Sequence, residues 1–446
     1  MKMRKMKDSG LVWVGEVPAH WQVLPNKYVL RKTKRICEKW SGQPVLSLSM
    51  KGVFARDLLN PTGKMPTTFD GYQYVEAGNA LMCLFDYDVT PRCVGRALIS
   101  GVTSPAYSCF EVLKNATLDW VYYYYLMVDN GKEILHLARN LRHAFNESDF
   151  GEIKMPLPPL EEQQRLTDCL DRTCAKIDEI VAGTKQTIEE YKAWKASLIF
   201  EAVTGKVETG FTGLTGLSGG TNPVNPVNPV NPVKKRKRPM RDSGVAWLGM
   251  MPEEWEIATL SQQASQVKHK NSGLVETNLL SLSYGKIKRK NIEAVGGLLP
   301  ASYEGYNRIE PGDIVLRLTD LQNDQHSLRT GLATERGIVT SAYVTIRPGP
   351  KVYSPYLHLA LSAFDVAKGF YGMGSGVRQG LTYGDVKQLK LPLPPLPTQQ
   401  LIVKNVNMVS ERIDRVIAEK EALIADLEAY RKSLIFEVVT GKREVS

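Results

Sequence analysis

The 446-residue sequence has no run approaching the roughly 20 continuous apolar residues of a helical membrane span, so a bilayer-crossing helix is not expected. The basic stretch Met1 to Lys7 leads into Asp8-Ser9-Gly10 rather than the apolar core of a signal peptide, and the expected location is the cytoplasm. Paired cysteines are missing too. Cys37, Cys83, Cys93, Cys109, Cys169 and Cys174 all fall in the first half without a CxxC spacing, which argues against a structural metal or a disulfide framework. The six histidines show no HExxH spacing, and no GxxxxGK[ST] loop is present to cradle a triphosphate. Glu152-x-Lys154 after Asp149 faintly suggests a nuclease carboxylate/lysine site for Mg²⁺, but the corresponding positions later in the chain are Gln388 and Lys390. No catalytic residue and no metal ligand is therefore assigned.

What the chain does have is positive charge and self-similarity. The formal net charge of +10 favours a polyanionic partner. Asp8-Ser9-Gly10-Leu11-Val12-Trp13 returns 234 residues later as Asp242-Ser243-Gly244-Val245-Ala246-Trp247. Pro18 and Trp21 return as Pro252 and Trp255, and Leu46-Ser47-Leu48-Ser49 as Leu280-Ser281-Leu282-Ser283. After an indel the offset becomes 236. Pro156-Leu157-Pro158-Pro159-Leu160 then aligns with Pro392 to Leu396, and Ser197 to Glu201 with Ser433 to Glu437. Val203-Thr204-Gly205-Lys206 aligns with Val439 to Lys442. A period this long means two tandem copies of a whole domain with its appendage rather than a solenoid.

Between the copies, Val207 to Met240 contains four Asn-Pro-Val triplets (Asn222 to Val233) and the run Lys234-Lys235-Arg236-Lys237-Arg238. Repeated proline fixes φ and removes amide donors, so this tract is expected to be an extended, semi-rigid linker.

Each copy opens with short β-rich runs such as Pro44 to Met50 and Ala342 to Arg347, broken by Gly, Pro and Asp, with helices expected at Asp119 to Val128 and Pro355 to Ala363. Each ends in about 40 proline-free residues behind a proline-rich stop, which predicts one helix on the order of 60 Å long. Alternating steps of four and three mark a seam in the first helix at Leu166, Leu170, Thr173, Ile177, Ile180, Thr184, Thr187, Tyr191, Trp194 and Leu198. In the second helix the seam is Ile402, Val406, Val409, Ile413, Val416, Lys420, Leu423, Leu427, Tyr430 and Leu434. So narrow a stripe suits a partner helix, and the expected arrangement is an antiparallel coiled coil with pseudo-twofold symmetry. The fold class is α+β, with two mixed α/β domains each followed by a long helix.

The doubled Asp-Ser-Gly…Trp…Gly…Pro…Trp opening, together with Pro-Leu-Pro-Pro-Leu-Glu-Glu-Gln-Gln at 156–164 leading into the long helix, resembles the specificity (S) subunit of type I restriction-modification enzymes over nearly the whole chain. The second copy departs from it at Pro397-Thr398, where the first has Glu161-Glu162. The resemblance implies a first target recognition domain over 1–155, a spacer helix over 156–206 and a linker over 207–240. A second recognition domain follows over 241–390, and a second spacer helix over 391–446. It further implies a bipartite, asymmetric DNA target and docking of two methyltransferase subunits and of restriction/translocase subunits. Those partners would use S-adenosylmethionine, ATP and Mg²⁺; this chain would use none. Consistently, the Pro-Pro pairs at 158 and 394 are flanked by leucines, not by the Asn/Asp and aromatic residue that an amino-methyltransferase requires. Lengthening the Asn-Pro-Val tract is a candidate way of changing the gap between half-sites.

Cationic and amide side chains in polar loops are the expected DNA contacts. In the first domain these are Lys51, Arg56, Lys64, Arg92, Arg96, Arg139, Asn140 and Arg142. In the second the strongest run is Tyr284, Lys286, Lys288, Arg289 and Lys290, followed by Arg317, Asn323, Arg336, Arg378 and Gln379. Two rival readings are a self-sufficient, repressor-like DNA binder and a coiled-coil scaffold without sequence preference.

Overall fold

Leucine and serine alternate at 46–49 and again at 280–283, the period of a half-buried strand. In the computed structural model both segments form the first strand of a hairpin. The structure describes residues 4–61, 65–138, 143–207, 238–290, 302–321, 328–373 and 380–445. Two compact units divide the chain, one of Met1–Lys185 with Lys420–Ser446 and the other of Gln186–Glu419.

In the first unit the hairpin joins β1 (Val45–Ser49) to β2 (Gly52–Ala55) at the edge of a five-stranded sheet. A four-stranded antiparallel sheet has the strand order Val94–Arg96, Ala80–Met82, Ser108–Val112, Leu30–Thr33. Helix α1 (Leu118–Gly131) starts at Thr117, whose hydroxyl accepts the Trp120 amide at 3.2 Å. Trp21, Trp120 and Phe150 centre the core of this unit. The long helix α2 (Leu160–Thr204) begins here and continues into the second unit.

The second unit repeats the plan. Its hairpin is β3 (Leu280–Ser283) and β4 (Lys286–Arg289), its reader helix is α3 (Ser354–Val366), and its long helix is α4 (Leu396–Val439). The four-stranded sheet runs Ala264–Val267, Val344–Pro348, Ile314–Leu316, Thr330–Leu332. Trp255, Tyr356 and Phe370 are buried at its centre.

The repeated motifs turn out to be joints. Gln163 is fully buried at the start of α2, donating to the carbonyls of Pro158 (2.8 Å) and Asn115 (3.1 Å) and accepting the Thr117 amide (2.8 Å). Gln399 does the same at the start of α4 with Pro394 (2.8 Å), Lys351 (3.1 Å) and the Tyr353 amide (2.8 Å). Each glutamine thus fixes its long helix to the residue that caps the start of the reader helix, and the Pro397-Thr398 departure leaves this joint intact. In Asp-Ser-Gly, Asp8 accepts the Gly10 amide and Ser9 the Leu11 amide, and Asp242 and Ser243 repeat both bonds.

Each long helix ends on a glycine in the left-handed region, Gly205 at φ +72° and Gly441 at φ +69°. A Cβ on Gly441 would lie 2.4 Å from Pro18 and 3.1 Å from Trp21, both in the first unit; a Cβ on Gly205 would meet Pro252 and Trp255 of the second at the same distances. The end of each copy's helix is therefore seated on the opening motif of the other copy.

Within each unit the helix segments run antiparallel. In the first, Leu166 and Leu170 share a core with Leu434, Ile435, Val438 and Val439, and Arg431 reaches Asp178 at 2.7 Å. In the second, Leu198 packs with Val409 and Ile413, with Tyr191 and Ile417 alongside, and Val203 shares a core with Ile402 and Val406. Burial of each such aliphatic side chain contributes about 1.5–3 kcal/mol.

Four residues expected on the seam face outward instead: Ile180, Trp194, Leu423 and Tyr430 are 38–49% exposed. Val181 and Ile188 are buried in α2, and Ile424 is half-buried in α4, each one position further along. Leu427 and Val416 are half-buried. The departure is local, since Leu166, Leu170, Ile177 and Leu198 in α2, and Ile402, Val406, Val409, Ile413 and Leu434 in α4, are buried where the heptad places them.

Residues 208–237 of the expected linker, including the Asn-Pro-Val triplets, lie outside the described residues. Its two described flanks meet on one side chain of the second unit. Gly205 seats against Trp255, and the Arg238 guanidinium lies 5.5 Å from the centroid of the same ring. The described ends of the tract thus lie at one place in the second unit.

Candidate nucleic-acid interface

The two hairpins are the same element built twice. Ser49 pairs with Gly52 and Ser47 with Phe54 in the first; Ser283 pairs with Lys286 and Ser281 with Lys288 in the second. Period-two alternation puts these four pairs on the outward faces. The opposite faces carry Leu46, Leu48 and Val53, and Leu280, Leu282 and Ile287. Of these Leu46, Leu48 and Val53 join one core cluster, and Leu280 and Ile287 another. The second hairpin turns through Tyr284 (φ +47°) and Gly285 (φ +75°), the two positive φ angles of a tight two-residue turn that matches strand twist.

Tyr284 is 74% exposed at this tip, and Lys286, Lys288 and Lys290 are exposed with no ion-pair partner among the described residues. Arg289 is held differently. Its guanidinium makes a two-pronged contact with Glu335 (2.6 and 2.8 Å), which raises the arginine above its ordinary range and lowers the glutamate below its own. In the first hairpin Lys51 is exposed in the turn beside Met50, and Arg56 is half-buried just beyond β2.

Other expected contacts are engaged inside the fold. Arg92 lies 3.1 Å from the buried Asp129 carboxylate, which also accepts the Cys93 amide at 3.0 Å. Arg96 bridges Asp119 (2.5 Å) and Asp171 of α2 (3.2 Å), with its guanidinium 4.5 Å from the Tyr122 ring centroid. These two arginines join parts of the first unit, since a half-buried guanidinium needs carboxylate partners. Arg336 is exposed and paired with Glu276 at 3.1 Å, and Arg317 is half-buried. Lys64, Arg139, Asn140, Arg142, Asn323, Arg378 and Gln379 lie outside the described residues.

Sequence reasoning passed over a second pair of equivalent positions. Lys34 and Lys268, 234 residues apart, are both exposed, the second beside His269 and Lys270. The signal was in the short basic runs Lys32 to Arg35 and Lys268 to Lys270. Among the described residues no group of His, Cys, Asp and Glu is arranged to hold a metal ion, and no helix is long and apolar enough to cross a membrane. A two-stranded ribbon with an exposed tip and a cationic or polar outward face has the width to enter the major groove of duplex DNA.

Comparison with known proteins agrees with these features. Residues 84–190 match the family described as type I restriction modification DNA specificity domain. A protein named as the candidate MjaX type I restriction enzyme specificity subunit of Methanocaldococcus jannaschii is 22% identical over 310 residues. That alignment spans 68% of this chain and 62% of the relative, less than two thirds of its length. Among solved structures, a chain from a type I restriction-modification system studied for its assembly and conformational transition has a TM-score of 0.63 at 12% identity. It covers 95% of this chain and 98% of its own. The HsdS subunit from Thermoanaerobacter tengcongensis has a TM-score of 0.49 at 12% identity, covering 96% and 98%. The chain thus carries a segment similar to the type I restriction modification DNA specificity domain family, and as a whole it resembles a type I restriction-modification specificity subunit.

Proposed function

We propose that this chain is the non-catalytic, sequence-reading subunit of a type I restriction-modification complex, acting in the cytoplasm. Each unit reads one half of an interrupted, asymmetric DNA target. Chemistry on the DNA belongs to partners: two methyltransferase subunits using S-adenosylmethionine, and restriction/translocase subunits using ATP and Mg²⁺. The observation that carries this reading is the duplication of one hairpin with an apolar inward face in both copies and different outward side chains. A symmetric dimer presents identical readers and takes a palindrome; two unlike readers in one chain require unlike half-sites.

The test is coexpression with a methyltransferase subunit of the same system, purification of the complex, and genome-wide mapping of methylated adenines. A split, asymmetric motif is the expected result. Sequence-specific binding by the isolated chain with no methyltransferase association would favour the repressor-like reading. Salt-sensitive binding without sequence preference would favour the scaffold.

A further inference from the structure

We infer that the two hairpins recognise chemically different bases: the β3–β4 ribbon reads guanine through Lys286 and Lys288, and the β1–β2 ribbon reads a thymine methyl group through Phe54. This rests on the DNA-reading function proposed above and assigns the specificity-determining positions within it.

The argument starts from register. The pairs Ser49–Gly52 and Ser47–Phe54 occupy the places of Ser283–Lys286 and Ser281–Lys288. The serines are common to both outward faces, whereas the partner strand has changed from Gly52 and Phe54 to Lys286 and Lys288. Inward residues are held by core packing and have kept their apolar character. On the paired strands the change in chemical character thus falls on the face that packing does not constrain, where a ligand would be discriminated.

The chemistry of the two faces differs in sign. A lysine ammonium has three donors and no acceptor, which suits the O6 and N7 acceptors of guanine and rejects the exposed amino groups of adenine and cytosine. Phe54 is 47% exposed on its strand, and an aromatic ring in the major groove finds its apolar partner in the C5-methyl of thymine. Lys286 and Lys288 have no carboxylate partner among the described residues, while the neighbouring Arg289 is already bound to Glu335. Duplex DNA, polyanionic and acceptor-rich at guanine, complements that face.

The experiment selects bound duplexes from a randomised library with the full-length chain purified in complex with its methyltransferase subunits, then repeats the selection with K286A, K288A and F54A, each checked for wild-type thermal unfolding. Wild type should enrich two half-motifs. K286A and K288A should each flatten a guanine preference in one half-motif and leave the other unchanged, whereas loss of a phosphate contact would weaken all sequences alike and lower the slope of log affinity against log salt by about one. F54A should relax a thymine in the other half-motif with the salt slope unchanged. K288R, which keeps a donor there, should retain the guanine. Uniform weakening by the lysine variants across all sequences would make them phosphate contacts and overturn the assignment, as would a variant that altered both half-motifs or neither. Failure of the wild-type chain to enrich any sequence would instead overturn the DNA-reading function and the assignment with it.

Discussion

Lys195 of α2 holds both carboxylate oxygens of Asp414 of α4 at 2.7 Å in the second unit. Its counterpart in the first is Arg431 on Asp178, also at 2.7 Å, with the basic and acidic positions each displaced by 236 residues. The same bond made in both units fixes one antiparallel register for both helix pairs. These side chains are partly exposed, so each pair contributes about 0.2–1 kcal/mol. A double-mutant cycle with K195A and D414A, read by urea unfolding, should give a coupling in that range that shrinks with added salt. Cysteines at 195 and 414 should crosslink within one chain.

Glycine-to-alanine substitutions should have opposite signs at different places on one helix. G441A adds a Cβ within 2.4 Å of the Pro18 ring at a left-handed position. The combined strain and lost docking should destabilise the first unit by about 2–4 kcal/mol. G205A should do the same to the second. Gly183 lies inside α2 with nothing within 4 Å of a built Cβ, so G183A should stabilise by about 0.5–1 kcal/mol. Thermal melts of the three variants check the pattern.

Asp365 gives the second unit a pH signature. Burial pushes its carboxyl up to about 6, although the Arg329 amide donates to it at 2.5 Å and the arginine charge favours ionisation. The unfolded value is near 3.9, so the folded state binds the proton more tightly. The stabilising contribution is therefore full below about pH 4 and is lost as pH rises through 6. The shift corresponds to at most about 3 kcal/mol. D365N should gain stability relative to wild type between pH 4 and 6 and show a constant difference above 7, measured by denaturant unfolding across that range.

Changing the number of Asn-Pro-Val triplets should leave the target gap as it is, because Gly205 and Arg238 both converge on Trp255. Stability should scarcely move, since even doubling a loop costs only about 0.6 kcal/mol. Methylated-motif mapping with two and six triplets is the check; a gap that tracks triplet number would contradict the convergence.

Much of this was legible along the chain. The duplication was written in plain identity, and Leu-Ser alternation located both hairpin strands because strand burial has period two. The proline stop and the proline-free stretch located both long helices because local backbone chemistry decides where a helix can start. The exposed lysines of β4 stood out as a run.

What tertiary structure alone decided concerns residues far apart in sequence. That Gly441 seats on Pro18, and Gly205 on Pro252, leaves no periodic trace, because complementary surfaces rather than local propensity choose the partner. The same holds for Arg92 and Arg96, which read as surface cations until Asp129, Asp119 and Asp171 are brought beside them. The burial of Val181 in place of Ile180 is likewise set by what packs against the helix at that point, which a heptad count does not contain. Sequence thus determined the elements and their duplication, and packing between distant segments determined which copy completes which unit.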